Sequence, residues 1–137
     1  MSKSIGSILL IDDDELTNTL HRIILDKSGL CDEVETALTV EEAISLLNGR
    51  MLSKGESPDI IFIDLNMPGL TGWDFISEYG KMLGDSKRKS IMVILTASIN
   101  PDDQKRAKSI PEVAAFKNKP LTSDMIQEIA ELYFNNR

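Results

Sequence analysis

Ile60-Ile61-Phe62-Ile63-Asp64 is a continuous apolar run closed by an acid. The same form recurs twice. Ile8-Leu9-Leu10-Ile11 runs into Asp12-Asp13-Asp14, and Ile91-Met92-Val93-Ile94-Leu95 ends in Thr96. Short runs rich in Ile and Val, with no polar alternation, predict strands covered on both faces, as in a parallel sheet. Weaker strands are expected at Glu33–Ala37 and Val113–Lys117.

Helical patterns lie between these runs. Leu16, Leu20, Ile23, Ile24 and Lys27 fall on one stripe, with Gly29 at the C-terminal cap. Thr39-Val40-Glu41-Glu42 has the form of a capping box, followed by Ala43, Ile44 and Leu47. Phe75, Ile76, Tyr79 and Leu83 make a third stripe, closed by Gly84. Asn100-Pro101-Asp102-Asp103 supplies an N-cap, a first-turn proline and two acids at the positive dipole end. A last helix is expected over Ser123–Phe134, with Ile126, Ile129, Ala130 and Tyr133 inward. Strict alternation of strands and helices predicts an α/β fold, a five-stranded parallel sheet with helices on both faces.

The chain has 137 residues, 42% of them hydrophobic, with 15 Lys plus Arg against 22 Asp plus Glu and a formal net charge of −7. The length and apolar share suit one globular domain. A negative chain disfavours nucleic-acid binding through bulk charge, because phosphate neutralisation needs a basic face. Lys87-Arg88-Lys89 reads as a solvated connector. The one cysteine, Cys31, has no internal disulfide partner, which fits a reducing compartment. The apolar runs are too short for a signal peptide or a membrane span. A soluble, cytoplasmic protein without a membrane or nucleic-acid partner is expected.

Open α/β sheets bind ligands at the carboxyl ends of their strands. Here those ends carry Asp12-Asp13-Asp14, Asp64, Thr96 and Lys119-Pro120. Clustered carboxylates repel one another, and a hard divalent cation with oxygen ligands, such as Mg²⁺, relieves that repulsion. An Asp carboxylate can attack phosphorus to form an aspartyl phosphate. Catalysis of that transfer is mostly positioning and charge neutralisation by a metal and a lysine.

With these residues in place, the sequence resembles the receiver domain of two-component response regulators. The resemblance rests on Ile8 to Asp14, on Ile61-Phe62-Ile63-Asp64-Leu65-Asn66-Met67-Pro68-Gly69-Leu70-Thr71-Gly72, on Val93-Ile94-Leu95-Thr96-Ala97 and on Lys119-Pro120. It covers nearly the whole chain and implies the flavodoxin-like strand order 2-1-3-4-5, in a single receiver domain over 1–137. It also implies roles. Asp64 would be the phosphoacceptor. Asp13 would ligate Mg²⁺ (Mn²⁺ being the alternative ion) directly, with Asp64 and the backbone carbonyl of Asn66, and Asp12 through water. The backbone amides of Asn66 and Ala97 would hold phosphoryl oxygens. Lys119 would pair with the phosphoryl group, Thr96 would move its hydroxyl onto it, and Pro120 would follow a cis peptide bond. Pro68 and Gly72 would shape the loop, and Asp14 would cap the first helix.

The implied partners are a sensor histidine kinase or a histidine phosphotransfer protein upstream and a protein target downstream. A changed surface of the fourth helix, fifth strand and fifth helix would reach that target, and a homodimer is compatible with it. The resemblance implies a phosphoacceptor that phosphorylates and dephosphorylates itself rather than a multiple-turnover enzyme.

Three features depart from the family pattern. Phe116 stands where the switch aromatic is often Tyr, and it cannot donate a hydroxyl hydrogen bond. The stretch from Asn48 to Pro58 is long, which predicts an extended second helix or loop. Asn66 and Ser98 occupy the positions that tune dephosphorylation. Outside the motifs, His21 is expected at a surface or flanking position of its helix, and Trp73 near the start of the third helix, as a partner contact or packed beside the loop.

Two other readings use part of this pattern. A hydrolase of the haloacid dehalogenase type would use Asp12 and Asp14 with Thr96 and Lys119. It would expect Gly-Thr after the acids, and it leaves the Asp64 block unexplained. A binding module that keeps the fold without phosphorylation would be expected to lose one of the acids.

Overall fold

The computed structural model describes residues 5–54, 57–83, 90–97 and 99–134. The chain alternates β1 (Ile5–Ile11), α1 (Glu15–Ser28), β2 (Cys31–Ala37), α2 (Val40–Lys54), β3 (Ile60–Ile63), α3 (Gly72–Leu83), β4 (Ile91–Thr96), α4 (Pro101–Lys108), β5 (Val113–Asn118) and α5 (Ser123–Tyr133). The strands form one parallel sheet in the order β2-β1-β3-β4-β5, as the resemblance implies. β2 starts at Cys31 and β5 ends at Asn118, so both extend beyond their expected bounds. α2 is the extended element predicted before the third strand.

Successive residues of the central strands point to opposite faces. Leu9, Ile11, Ile61, Ile63, Met92 and Ile94 face one core, closed by Val40, Ala43 and Leu47 of α2, Phe75, Ile76 and Tyr79 of α3, and Ala107 of α4. Ile8, Leu10, Ile60, Phe62, Val93 and Leu95 face the other, closed by Leu25 of α1 and Ile126, Ile129 and Ala130 of α5. Both faces are covered, which is why these strands read as unbroken apolar runs.

The helix ends follow their cap residues. Thr39 Oγ1 accepts from Glu42 N at 3.0 Å, and the Glu42 carboxylate reaches back to Leu38 N at 3.0 Å. Asn100 Oδ1 accepts from Asp102 N at 2.8 Å at the start of α4. Gly29 ends α1 at φ +68°, the left-handed conformation that glycine adopts without strain.

Two inward stripes differ from expectation. On α1, Leu16, Leu20 and Ile23 are exposed, Lys27 is exposed and Ile24 is half-buried; the buried residues are Asn18, His21 and Leu25. The helix is rotated because buried backbone groups at the strand ends need partners. Asn18 Nδ2 donates to Asp12 O at 3.0 Å and to Ala37 O at 3.2 Å. On α5, Tyr133 is exposed and its neighbour Phe134 fills the core. Gly84, Lys87-Arg88-Lys89 and Ser98 lie outside the described residues.

Candidate functional site

Register brings the polar strand ends together. Ile11 pairs with Ile63, so Asp12 and Asp64 leave adjacent strands side by side. Thr96 pairs with Asn118, which places Lys119 next to the end of β4. Carboxylate oxygens of Asp12, Asp13 and Asp64 all lie within 4.8 Å of one another. Asp12 and Asp64 are buried and Asp13 is exposed.

Each buried acid is fixed through both oxygens. Asp12 Oδ1 accepts from Asp14 N at 2.9 Å, and its Oδ2 pairs with Lys119 Nζ. Asp64 Oδ1 accepts from Asn66 N at 3.2 Å, and its Oδ2 accepts from Lys119 Nζ at 3.0 Å. Burial draws the Lys119 ammonium down, but the hydrogen bonds and charges of Asp12 and Asp64 outweigh it, so its pKa is raised above the ordinary 10.5. Lys119 therefore stays charged at neutral pH. The Lys119-Pro120 peptide is cis.

The other anticipated residues line the same end of the sheet. The Thr96 side chain is fully buried, and its hydroxyl has no hydrogen-bond partner among the described residues. Asn66 and Ala97 are exposed on the loops after β3 and β4. Phe116 is half-buried on β5 and packs against the core shared by α2, α3 and α4. Gly72 N donates to Leu65 O at 3.2 Å, and a Cβ at Gly72 would lie 2.6 Å from Asp64 O. Only glycine lets the loop close this tightly behind the acid. Gly69 adopts φ +76° in the same loop, and Pro68 is exposed. Asp14 caps α1, accepting from Leu16 N at 3.0 Å and from Thr17 Oγ1 at 2.9 Å. The Thr17 hydrogen bond is the main reason its pKa is lowered. Trp73 is half-buried, with the Arg106 guanidinium 4.3 Å above its ring.

His21 corrects its expected place. It is buried, and its Nε2 accepts from Leu121 N at 3.3 Å. It lines a small cavity with Asp12, Asn18, Asp64 and Leu95. The apolar stripe leaves out both Asn18 and His21 because they are polar, and that is why His21 is expected outside the core. Their spacing with Leu25, at i, i+3 and i+7, was the available signal.

The set is of the kind that handles a phosphoryl group. It has one ammonium shared by two carboxylates, a third carboxylate beside them, and a buried hydroxyl without a partner among the described residues. Among the described residues, no helix is long and apolar enough to cross a membrane.

Comparison with known proteins gives the family. The response regulator receiver domain matches residues 8–131, a span that includes the Asp64 block that the haloacid dehalogenase reading leaves unexplained. A two-component response regulator from Cytophaga hutchinsonii superimposes with a TM-score of 0.87 at 34% identity, covering 96% of this chain and 97% of that one. A response regulator receiver protein from Dyadobacter fermentans superimposes with a TM-score of 0.80 at 25% identity, over 93% of this chain and 96% of that one. Hybrid signal transduction histidine kinase L of Dictyostelium discoideum is 28% identical over 98% of this chain. Sensory/regulatory protein RpfC of Xanthomonas campestris pv. campestris strain 8004 is also 28% identical, over 95% of the chain. The chain spans only 8% and 17% of the lengths of these two relatives. By this match and by its fold, the chain belongs to the response regulator receiver domain family of two-component signalling.

Proposed function

We propose that Asp64 accepts a phosphoryl group from the phosphohistidine of a sensor kinase or of a histidine phosphotransfer protein. The observation that carries this reading is Lys119 Nζ standing 3.0 Å from Asp64 Oδ2 with the Asp12 and Asp13 carboxylates alongside. In the transfer, an Asp64 oxygen forms a bond to phosphorus as the donor's phosphorus–nitrogen bond breaks. The donor imidazole keeps the bonding pair and takes up a proton. Lys119 then pairs with the new phosphoryl group.

Receiver domains generally bind Mg²⁺. The donor set suits it, because three close carboxylates are hard oxygen ligands whose mutual repulsion a divalent cation relieves. Asp12, Asp13 and Asp64, with the backbone carbonyl of Asn66, would hold it. When bound, the ion offsets negative charge on the phosphoryl oxygens; Mn²⁺ has the same preference for oxygen.

The unpartnered hydroxyl of Thr96 would swing to a phosphoryl oxygen, and the amides of Asn66 and Ala97 would hold the others. Phe116 would follow into the space beside β4. The surface of α4, β5 and α5 would then change for a protein target or for a second copy of the chain, as a population shift between two states. The chain would act as one receiver unit over 1–137, in the cytoplasm where kinase and target meet.

Intact mass after incubation with acetyl phosphate and Mg²⁺ tests this, beside an Asp64→Asn control. Gain of one phosphoryl group in the wild type alone supports it. Gain that persists in Asp64→Asn places the nucleophile elsewhere. No gain in the folded wild type, with either acetyl phosphate or a phosphohistidine donor, leaves a binding module.

A further inference from the structure

We infer that His21 is a positioning residue that holds the Lys119 loop at the carboxylates through the backbone of Leu121. The inference rests on the role proposed for Lys119.

Lys119, Pro120 and Leu121 leave the sheet and carry the ammonium to the acids. Pro120 has no N–H, so the segment offers two backbone donors. Lys119 N donates to Thr96 O at 2.7 Å, which ties its start to β4. Leu121 is fully buried, and its N–H donates to His21 Nε2 at 3.3 Å, which ties its end to α1. The two bonds bracket the lysine. A buried N–H that loses its acceptor is costly, so the loop would shift to find another.

The same face of α1 holds the other half of the site. Asn18, one turn before His21, donates to Asp12 O and to Ala37 O, at 3.0 and 3.2 Å. One helix face thus positions the Asp12 strand end through Asn18 and the Lys119 loop through His21. This accounts for two polar residues facing inward while Leu16 and Leu20 face solvent. Burial lowers the His21 pKa below 6.5; the Asp12 charge opposes this and Lys119 adds to it. The ring is therefore neutral at physiological pH, and Nε2 is free to accept.

The test uses the full chain and three variants. His21→Leu removes the acceptor, His21→Gln keeps an acceptor at similar reach, and Leu25→Ala weakens the same buried face while leaving both backbone hydrogen bonds of the loop their acceptors. The first readout is the initial rate of phosphorylation by acetyl phosphate with Mg²⁺, well below each unfolding midpoint. His21→Leu is expected to slow it about tenfold, as misplacement of a charge-neutralising group does. His21→Gln should recover most of the rate, and Leu25→Ala should keep it. The second readout needs no phosphorylation: the ¹⁵N-ammonium signal of Lys119 should stay protected in the wild type and His21→Gln and be lost in His21→Leu. If His21→Leu does not fold, His21→Asn, polar but too short to reach Leu121, is read the same way. A wild-type rate and a retained ammonium signal without the His21 acceptor would overturn the inference. So would equal slowing by Leu25→Ala. A wild type that takes up no phosphoryl group would instead count against the proposed function, while the ammonium signal still decides the role of His21.

Discussion

The ammonium of Lys119 is shared by Asp12 and Asp64, with Nζ 3.0 Å from Asp64 Oδ2 and in contact with Asp12 Oδ2. One positive charge thus faces three carboxylates, because Asp13 lies within 4.8 Å of the other two. The excess negative charge opposes folding when no cation is bound. Asp13→Asn is expected to raise stability in chelator by about 0.5 kcal/mol. It should also remove most of the stabilisation that added Mg²⁺ gives the wild type. Urea unfolding at low salt, with and without Mg²⁺, measures both effects.

Thr96 gives a prediction of the opposite kind to most core substitutions. Its hydroxyl is buried and has no hydrogen-bond partner among the described residues. Such a group costs its desolvation without return, so a side chain of the same shape lacking the hydroxyl should be better tolerated. Thr96→Val is expected to stabilise the unphosphorylated chain by about 1 kcal/mol. It should still gain a phosphoryl group, but the amide shifts of α4 and β5 that follow phosphorylation should shrink. Chemical denaturation and backbone amide spectra give the two readouts.

Two glycines of α3, one at its first residue and one in its third turn, separate a close approach from mere propensity. A Cβ at Gly72 would lie 2.6 Å from Asp64 O and 2.8 Å from Leu65 Cα, both backbone atoms that cannot yield cheaply. Gly72→Ala is expected to cost about 1–3 kcal/mol and to slow phosphorylation by displacing Asp64. At Gly80 the same change meets nothing within 4 Å, so Gly80→Ala should stabilise the helix by about 1 kcal/mol. Thermal unfolding of the two variants, with phosphorylation rates beside it, checks the contrast.

The rotation of α1 marks where sequence reading stopped. The strands were legible because burial on both faces leaves a local trace, an unbroken apolar run. The site was legible because Asp12, Asp64 and Thr96 stand at or just beyond the ends of those runs, and parallel register does the rest. The inward face of α1 is set by groups far away in sequence, the carbonyl of Ala37 and the amide of Leu121. A stripe drawn through apolar residues alone selects Leu16, Leu20 and Ile23, and only admitting polar residues to it brings out Asn18, His21 and Leu25. Tyr133 was preferred to Phe134 for a related reason: a stripe extended past the last helical residue loses its period. Leu20→Gln should therefore change stability by less than about 0.5 kcal/mol, whereas Leu25→Ala should cost about 2–4 kcal/mol. Denaturant midpoints for the pair decide which face packs.

His21 should also leave a mark on stability as a function of pH. Its folded pKa lies below the ordinary 6.5, first because of burial, with the Lys119 charge adding to the depression and the Asp12 charge opposing it. Well above 6.5 the ring is neutral in both folded and unfolded chains, so it adds no pH dependence there. As pH falls below 6.5, the unfolded chain binds a proton that the folded chain does not, and stability declines. The decline continues until the folded pKa is reached, at a slope of at most about 1.4 kcal/mol per pH unit for a single proton. His21→Gln has no such proton to bind. The difference between wild-type and His21→Gln unfolding free energies should therefore be constant well above 6.5 and shift in favour of the variant as pH falls below 6.5. Urea titrations at half-unit pH steps measure that difference, and carboxylates elsewhere cancel because both chains carry them. A difference flat across the window would mean that the imidazole titrates in the folded chain as it does in water.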